Sequence, residues 1–187
     1  MFKKLFLIIL LLCFKYSAHS QDISIKDIIS LRSKTLIDVE LYMKEHHWII
    51  LQSLKPVVET SNSNRSITTE QGHTTFLKLK NNKATASSLT FIYAGEYIKE
   101  NIILIGFPNK DKFLKYKRNI VKKNRKLASY FEENGDFIEI YEEEKLIYEF
   151  KTSLDEDKKE YYYLTIYDHD YFKGVSKYFD LEKMHFL

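Results

Sequence analysis

In residues 102–120, IILIGFPNKDKFLKYKRNI, the hydrophobic period changes across a single Phe107-Pro108-Asn109 step. Ile102 to Phe107 is apolar throughout, which predicts a central strand covered along most of its length. Pro108 ends that run, and Asn109 is a suitable cap for a helix with Phe113, Tyr116, Ile120 and Leu127 as its apolar stripe. A strand that hands over to an amphipathic helix closes one structural unit and opens another.

The same order reads outward in both directions. Upstream, Ser24 with Asp27 forms a variant capping box. Ile25, Ile28, Ile29, Leu36, Val39 and Met43 then recur at near-helical spacing, predicting one helix up to about His47. Strand-like segments follow at Trp48 to Leu54, Thr74 to Lys80, Ser88 to Tyr97 and Ile102 to Phe107. After the second helix come Ala128 to Glu132, Phe137 to Tyr141, Leu146 to Lys151 and Tyr161 to Asp168. Asn134-Gly135 is a hairpin signal, because a type I′ turn needs positive φ at both central residues. Short connections make the strands antiparallel. The expected class is therefore α+β, a tandem helix-plus-antiparallel-sheet (αββββ twice) with the helices packed on the sheet. Its units are a first subdomain over 21–107 and a second over 108–187, with two curved sheets or one shared sheet.

Residues 1–20 read as a secretory signal peptide. Lys3 and Lys4 precede the apolar run LFLIILLLCF of Leu5 to Phe14, and Ala18-His19-Ser20 offers small residues for cleavage before Gln21. The run is too short to span a bilayer, which takes about 20 residues. Cys13 follows Leu12 rather than a small residue and lies inside the apolar run, so cleavage near Ser20 is favoured over lipidation. Periplasmic or extracellular localisation follows as an expectation. The chain has 29 Lys and Arg against 26 Asp and Glu. Lys3, Lys4 and Lys15 lie in the leader, so the exported part is neutral and offers no general attraction for nucleic acid. Its only cysteine, Cys13, lies in the leader too, which excludes disulfides, thiolate metal sites and a cysteine nucleophile after cleavage.

Little in the chain points to chemistry. His46-His47 are adjacent, about 100° apart on a helix, and do not form the i, i+4 pair that grips zinc. At the end of a strand, Asp168 and Asp170 would share one face with His169 on the other, too few oxygens for calcium. No nucleophile elbow, zinc-protease signature or phosphate-binding glycine loop is present. No catalytic residue, metal ligand or cofactor is therefore assigned. Charge is unevenly spread: Lys110 to Lys126 holds nine basic residues and one acid, and Glu132 to Glu160 holds twelve acids and four lysines. The adjacent fields are expected to cancel in large part; otherwise the basic 110–126 helix is, with an uncleaved or lipidated leader, the route to a membrane contact.

The aromatic pattern is the best guide to a binding surface. In YYYLTIY, alternation sets Tyr162, Leu164 and Ile166 on one strand face and Tyr161, Tyr163 and Tyr167 on the other. Tyr141 is expected to join the latter. Tyrosine-rich sheet faces suit protein interfaces, offering large area at low entropic cost; the other reading is a second core packed on the other subdomain, because a sheet between two layers buries both faces. Pro56 to Thr75 reads as a long polar loop, either disordered or a binding loop, with a loose edge strand at Pro56 to Glu59 and, in the binding case, Asn64 and Arg65 as further candidate contacts.

The leader ending Ala18-His19-Ser20, followed by a capped helix and hairpin strands, resembles the small exported proteins of unknown function in Gram-negative bacteria. The twice-written helix-plus-sheet order is similar to PepSY-like and β-lactamase-inhibitor-like modules. The resemblance lies in element order alone and carries over no residue roles. It implies a non-catalytic module that binds a protein partner, as an inhibitor or immunity-type protein of the cell envelope. A small-ligand or lipid binder with a cavity between helix and sheet is the alternative, and an unrecognised hydrolase is third.

Overall fold

The computed structural model describes residues 23–56, 58–60, 67–69, 71–80, 83–93, 100–132, 135–176 and 185–186; the leader, Asn64 and Arg65 lie outside them. The chain forms a mixed α+β structure around one antiparallel sheet. Two helices, α1 (Ile25–Leu31) and α2 (Leu36–Glu45), lead into β1 (Ile49–Leu54), a short pair β2 (Val58–Thr60) and β3 (Ile67–Thr69), then β4 (Gly72–Lys80), β5 (Lys83–Tyr93) and β6 (Ile102–Phe107). Helix α3 (Lys110–Val121) precedes β7 (Arg125–Phe131), β8 (Phe137–Glu143), β9 (Leu146–Leu154) and β10 (Glu160–Asp168). Helix α4 (His169–Ser176) and a two-residue strand β11 (His185–Phe186) complete the order. The large sheet runs β1-β4-β5-β6-β10-β9-β8-β7-β11, while β2 and β3 pair with each other.

The long strands of both halves thus form one continuous sheet, rather than two, with the β2–β3 pair separate from it. Its centre is the contact between β6 and β10, where Leu164 stands opposite Ile105 and Ile166 opposite Ile103. The apolar run from Ile102 to Phe107 is central, flanked by β5 and β10; Ile103, Ile105 and Phe107 are buried on the helix-covered face, while Leu104 on the other face is part-exposed.

Several local expectations are corrected. The helix expected from Ser24 to His47 is two helices. Thr35 and Asp38 form a second capping box: the Asp38 N–H donates to Thr35 Oγ1 at 3.3 Å, and Thr35 Oγ1 donates to Asp38 Oδ2 at 2.7 Å. Leu127 leaves the expected stripe of α3, because the helix ends in a tightened turn and pairing with β8 draws residues 125–131 into a strand. The polar segment from Pro56 to Thr75 is not one loop, since Val58–Thr60 pairs with Ile67–Thr69 and Gly72 already belongs to β4. At the β7–β8 connection Gly135 has φ of +84°, but the loop is longer than a two-residue type I′ turn; Asn134 lies outside the described residues.

The helix-covered face holds the main core. Phe76, Leu89, Phe91, Ile103, Ile105, Phe107, Tyr148, Phe150, Tyr162, Leu164 and Ile166 meet Ile28 and Leu31 of α1, Val39 and Met43 of α2, and Phe113 and Ile120 of α3. Helix α3 is pinned by rings. Phe113 lies 5.2 Å from Tyr162, 5.7 Å from Phe150 and 5.8 Å from Phe107, centroid to centroid, within the range where aromatic pairs attract beyond simple burial. The core extends across both halves of the chain, so strands of each half share one set of apolar contacts. A second cluster lies on the opposite face, where Phe172 of α4 covers Ile102, Ala128, Tyr130, Ile138, Ile140, Ile147 and Tyr167.

Candidate functional site

Helix α4 covers only part of that second face. The remainder is built by two cross-strand rows. One runs Gln52, Thr75, Thr90, Leu104, Thr165, Glu149; the other runs Leu77, Ser88, Gly106, Tyr163, Lys151, Ile138. Thr75, Leu77, Ser88, Thr90, Leu104, Tyr163 and Thr165 are part-exposed and belong to neither core cluster. At ~4.8 Å between strands, the six-strand row is roughly 24 Å wide. Thr75 and Thr90 hydroxyls are 3.0 Å apart and hydrogen-bonded, the cross-strand pairing that β-branched hydroxyls favour. At Gly106 a Cβ would come within 2.4 Å of Ser88 Oγ and 3.7 Å of Tyr163 Cε1, so the missing side chain leaves room for both neighbours over the strand.

The tyrosines chosen from the sequence divide. Tyr161, Tyr163 and Tyr167 share this face, but Tyr167 is packed beneath α4, with ring centroids 5.4 Å from Tyr171 and 6.4 Å from Phe172. Its hydroxyl donates to Glu149 Oε2 at 3.0 Å. Tyr163 is part-exposed, and Tyr161 is 37 % exposed with its hydroxyl on Asp155 Oδ2 at 3.0 Å. Tyr141 does not join them. It points to the opposite side, under α3, where it meets the Phe150 ring and donates to Glu139 Oε1 at 3.1 Å. Burial, first, and the neighbouring Glu139 push its pKa up to about 12. In β8 it is therefore Ile138 and Ile140, not Phe137 and Tyr141, that share the face of Tyr163.

Beneath α4, burial raises the pKa of Glu149, opposed by the Tyr167 hydrogen bond and by Lys151. Lys151 itself pairs with the buried Asp136. The charged groups at this end of the open face are thus engaged within the fold.

A second polar site lies at one end of the sheet. Arg32, between α1 and α2, is 2 % exposed; its Nε donates to the Asn101 carbonyl at 2.9 Å, and Asn101 Nδ2 donates back to the Arg32 carbonyl at 2.7 Å. The guanidinium also faces Glu100 at 3.3 Å and Asp168 at 3.8 Å. Desolvation lowers its pKa and the two carboxylates oppose that shift, as a buried paired cation requires. Beside it Glu100, Lys145, Leu146, Asp168, His169 and Asp170 line a cleft of about 330 Å³. Asp168 does end β10, but His169 and Asp170 open α4, so the two carboxylates do not share one strand face. Asp168 Oδ1 accepts the Tyr171 N–H at 2.7 Å and so caps α4, while His169 Nε2 lies 2.8 Å from Glu142 Oε1. The sequence signal for that cap is an aspartate at the end of a strand, three residues before Tyr171.

Between α1, α3 and the sheet there is a cavity of only about 20 Å³, lined by Ile23, Ile28, Trp48 and Tyr116 among others. That holds about one water, far below the 300 Å³ or more of a ligand pocket. Among the described residues no cluster of three or more His, Cys, Asp or Glu can hold a metal, and no helix is long and apolar enough to cross a membrane. His46 closes α2, stacking on Tyr42 with its Nδ1 2.8 Å from the Tyr42 carbonyl. The basic and acidic segments do meet: Lys117 and Lys126 pair with Glu139, Lys110 with Glu160 and Arg125 with Glu142. Lys115, Arg118, Lys122 and Lys123 stay on the exposed side. No protein-family model, curated protein or solved structure matches this chain.

Proposed function

We propose that this is an exported, non-catalytic binding protein that holds a protein partner on the face of β4, β5, β6 and β10 turned away from α1, α2 and α3. One observation carries the reading. Leu104, on β6 beside the middle strand β10, is part-exposed and outside both core clusters, in a row with Thr75, Thr90 and Thr165 and beside Tyr163. A central strand is normally covered on both faces, and an open mosaic of Tyr, Thr and Leu provides area and hydrogen bonds without charge to desolvate. An inhibitor or immunity-type role in the envelope fits such a surface. The strand order also supports a tandem αββββ reading, because two four-strand meanders meet through their last strands, β6 and β10.

The test is affinity capture with the protein as bait against envelope and secreted extracts, read by mass spectrometry. A stoichiometric protein partner kept by the parent, and lost by Tyr163→Ala and by Thr165→Arg, supports the reading. A partner that both variants retain overturns the assignment of this face. A second reading, a small charged ligand, rests on the 330 Å³ cleft at Asp168 and His169. Native mass spectrometry of the purified protein would show such a ligand as added mass, removed by Asp168→Asn.

A further inference from the structure

We infer that β1 is the dimerisation strand of this protein, pairing antiparallel with β1 of a second copy across a two-fold axis. Strand β1 is one end of the large sheet, hydrogen-bonded to β4 on one side only, so its outward N–H and C=O groups are unpaired within the sheet. All six residues, IILQSL, are exposed. Ile49, Ile50, Leu51 and Leu54 are between 48 % and 61 % exposed, and Ile37 and Leu41 of α2, which leads into β1, are exposed as well.

Proteins guard such edges with charge, proline or shortness. The stretch from Ile49 to Leu54 holds no charged residue, no proline and no glycine. The opposite end of the sheet is treated differently, since β11 covers β7 there for two residues. A partner of different sequence would be selected by complementary charges or side-chain pockets, and β1 offers neither. A copy of the same strand meets no like charge, and antiparallel pairing makes the contact self-complementary, closed after two copies. Leu51 is the extra residue of a bulge, between Ile50 opposite Phe76 and Gln52 opposite Thr75. Bulges sharpen twist, which keeps the paired stretch short. The four half-exposed side chains bring roughly 350 Å² per copy to the contact, short of the ~800 Å² per partner of a standard interface. The dimer is accordingly a weak one, with a dissociation constant in the micromolar range.

The experiment uses the protein made with its own leader and purified from cells, with the N-terminus read by mass spectrometry and Cys13→Ser as the background. Sedimentation equilibrium up to about 0.2 mM, well above a micromolar constant, should show a monomer–dimer equilibrium. Leu51→Lys should weaken it at least tenfold while leaving the circular dichroism spectrum and thermal midpoint unchanged. Among Leu51→Cys, Gln52→Cys and Ser53→Cys, the thiol nearest the axis should form an intermolecular disulfide on mild oxidation, because facing strand residues lie within disulfide reach. A protein that stays monomeric at that concentration overturns the inference. So does a dimer indifferent to Leu51→Lys, which places the contact elsewhere.

Discussion

Tyr162 and Tyr163 are neighbours on β10 that point to opposite faces, and replacing each by alanine separates core from binding surface. Tyr162 is 7 % exposed, with its ring 5.2 Å from Phe113 and its hydroxyl hydrogen-bonded to Glu160. Its truncation removes a large buried side chain and opens a cavity under α3, a change that costs about 3–4 kcal/mol. Tyr163 is part-exposed and in neither core cluster, so Tyr163→Ala loses little more than strand preference, about 1 kcal/mol or less. With a urea slope of about 2 kcal/mol per molar for a domain of this size, the midpoint should fall by roughly 1.5–2 M for Tyr162→Ala and by under about 0.5 M for Tyr163→Ala. The assay is urea unfolding followed by circular dichroism, with equal slopes required before midpoints are compared. If Tyr163→Ala costs as much as Tyr162→Ala, both faces of β10 are core, and the open-face reasoning is wrong. A small effect of Tyr162→Ala would instead show that α3 does not depend on its ring cluster.

Three further outcomes are expected. Glu149 has a raised folded pKa, chiefly from burial, so the folded protein holds its proton where the unfolded chain has lost it; stability therefore falls as pH rises from about 4 through that raised value. Glu149→Gln, which still accepts from Tyr167, should melt higher than the parent at pH 7 and match it below about pH 4; a lower melt at pH 7 refutes this. Arg32→Ala removes a buried cation and its bond to Asn101, leaving Asp168 partly buried without its counter-charge, and should cost about 3 kcal/mol or roughly 6–12 °C by calorimetry. Arg32→Lys should not restore it, lacking the planar fork, and full recovery by lysine would count against the geometry. Thr35→Ala should cost about 1 kcal/mol in urea unfolding through loss of the α2 cap, with Thr35→Ser recovering most of it; no change would show that α2 is held by packing alone.

Local signals determined the elements with the most regular patterns. The apolar run from Ile102 to Phe107 and the Asn109 cap placed a strand and a helix, because a two-residue or 3.6-residue period and a cap are written in neighbouring residues. Alternation in YYYLTIY likewise separated Tyr162, Leu164 and Ile166 from Tyr161, Tyr163 and Tyr167, as the pleat demands. The assignment of Tyr141 to the second group failed, since which face of β8 matches which face of β10 depends on register through β9, and a one-residue change reverses it. The break before Thr35 and the Asp168 cap of α4 were legible as capping signals, but the apolar spacing around them masked both.

Tertiary structure decided what those elements became. It joined the strands of both halves in one sheet, by pairing β6 with β10, a contact between residues some 60 apart in sequence that no local pattern encodes. It set Arg32, Glu100, Asn101 and Asp168 together from three separate connections, and it divided one tyrosine face by laying α4 over Tyr167 while leaving Tyr163 part-exposed. The sequence by itself determined periodicity, caps and composition, because these act over a few residues. Coverage was decided only by the folded chain, because whether a face is core or surface depends on what distant segments come to rest upon it.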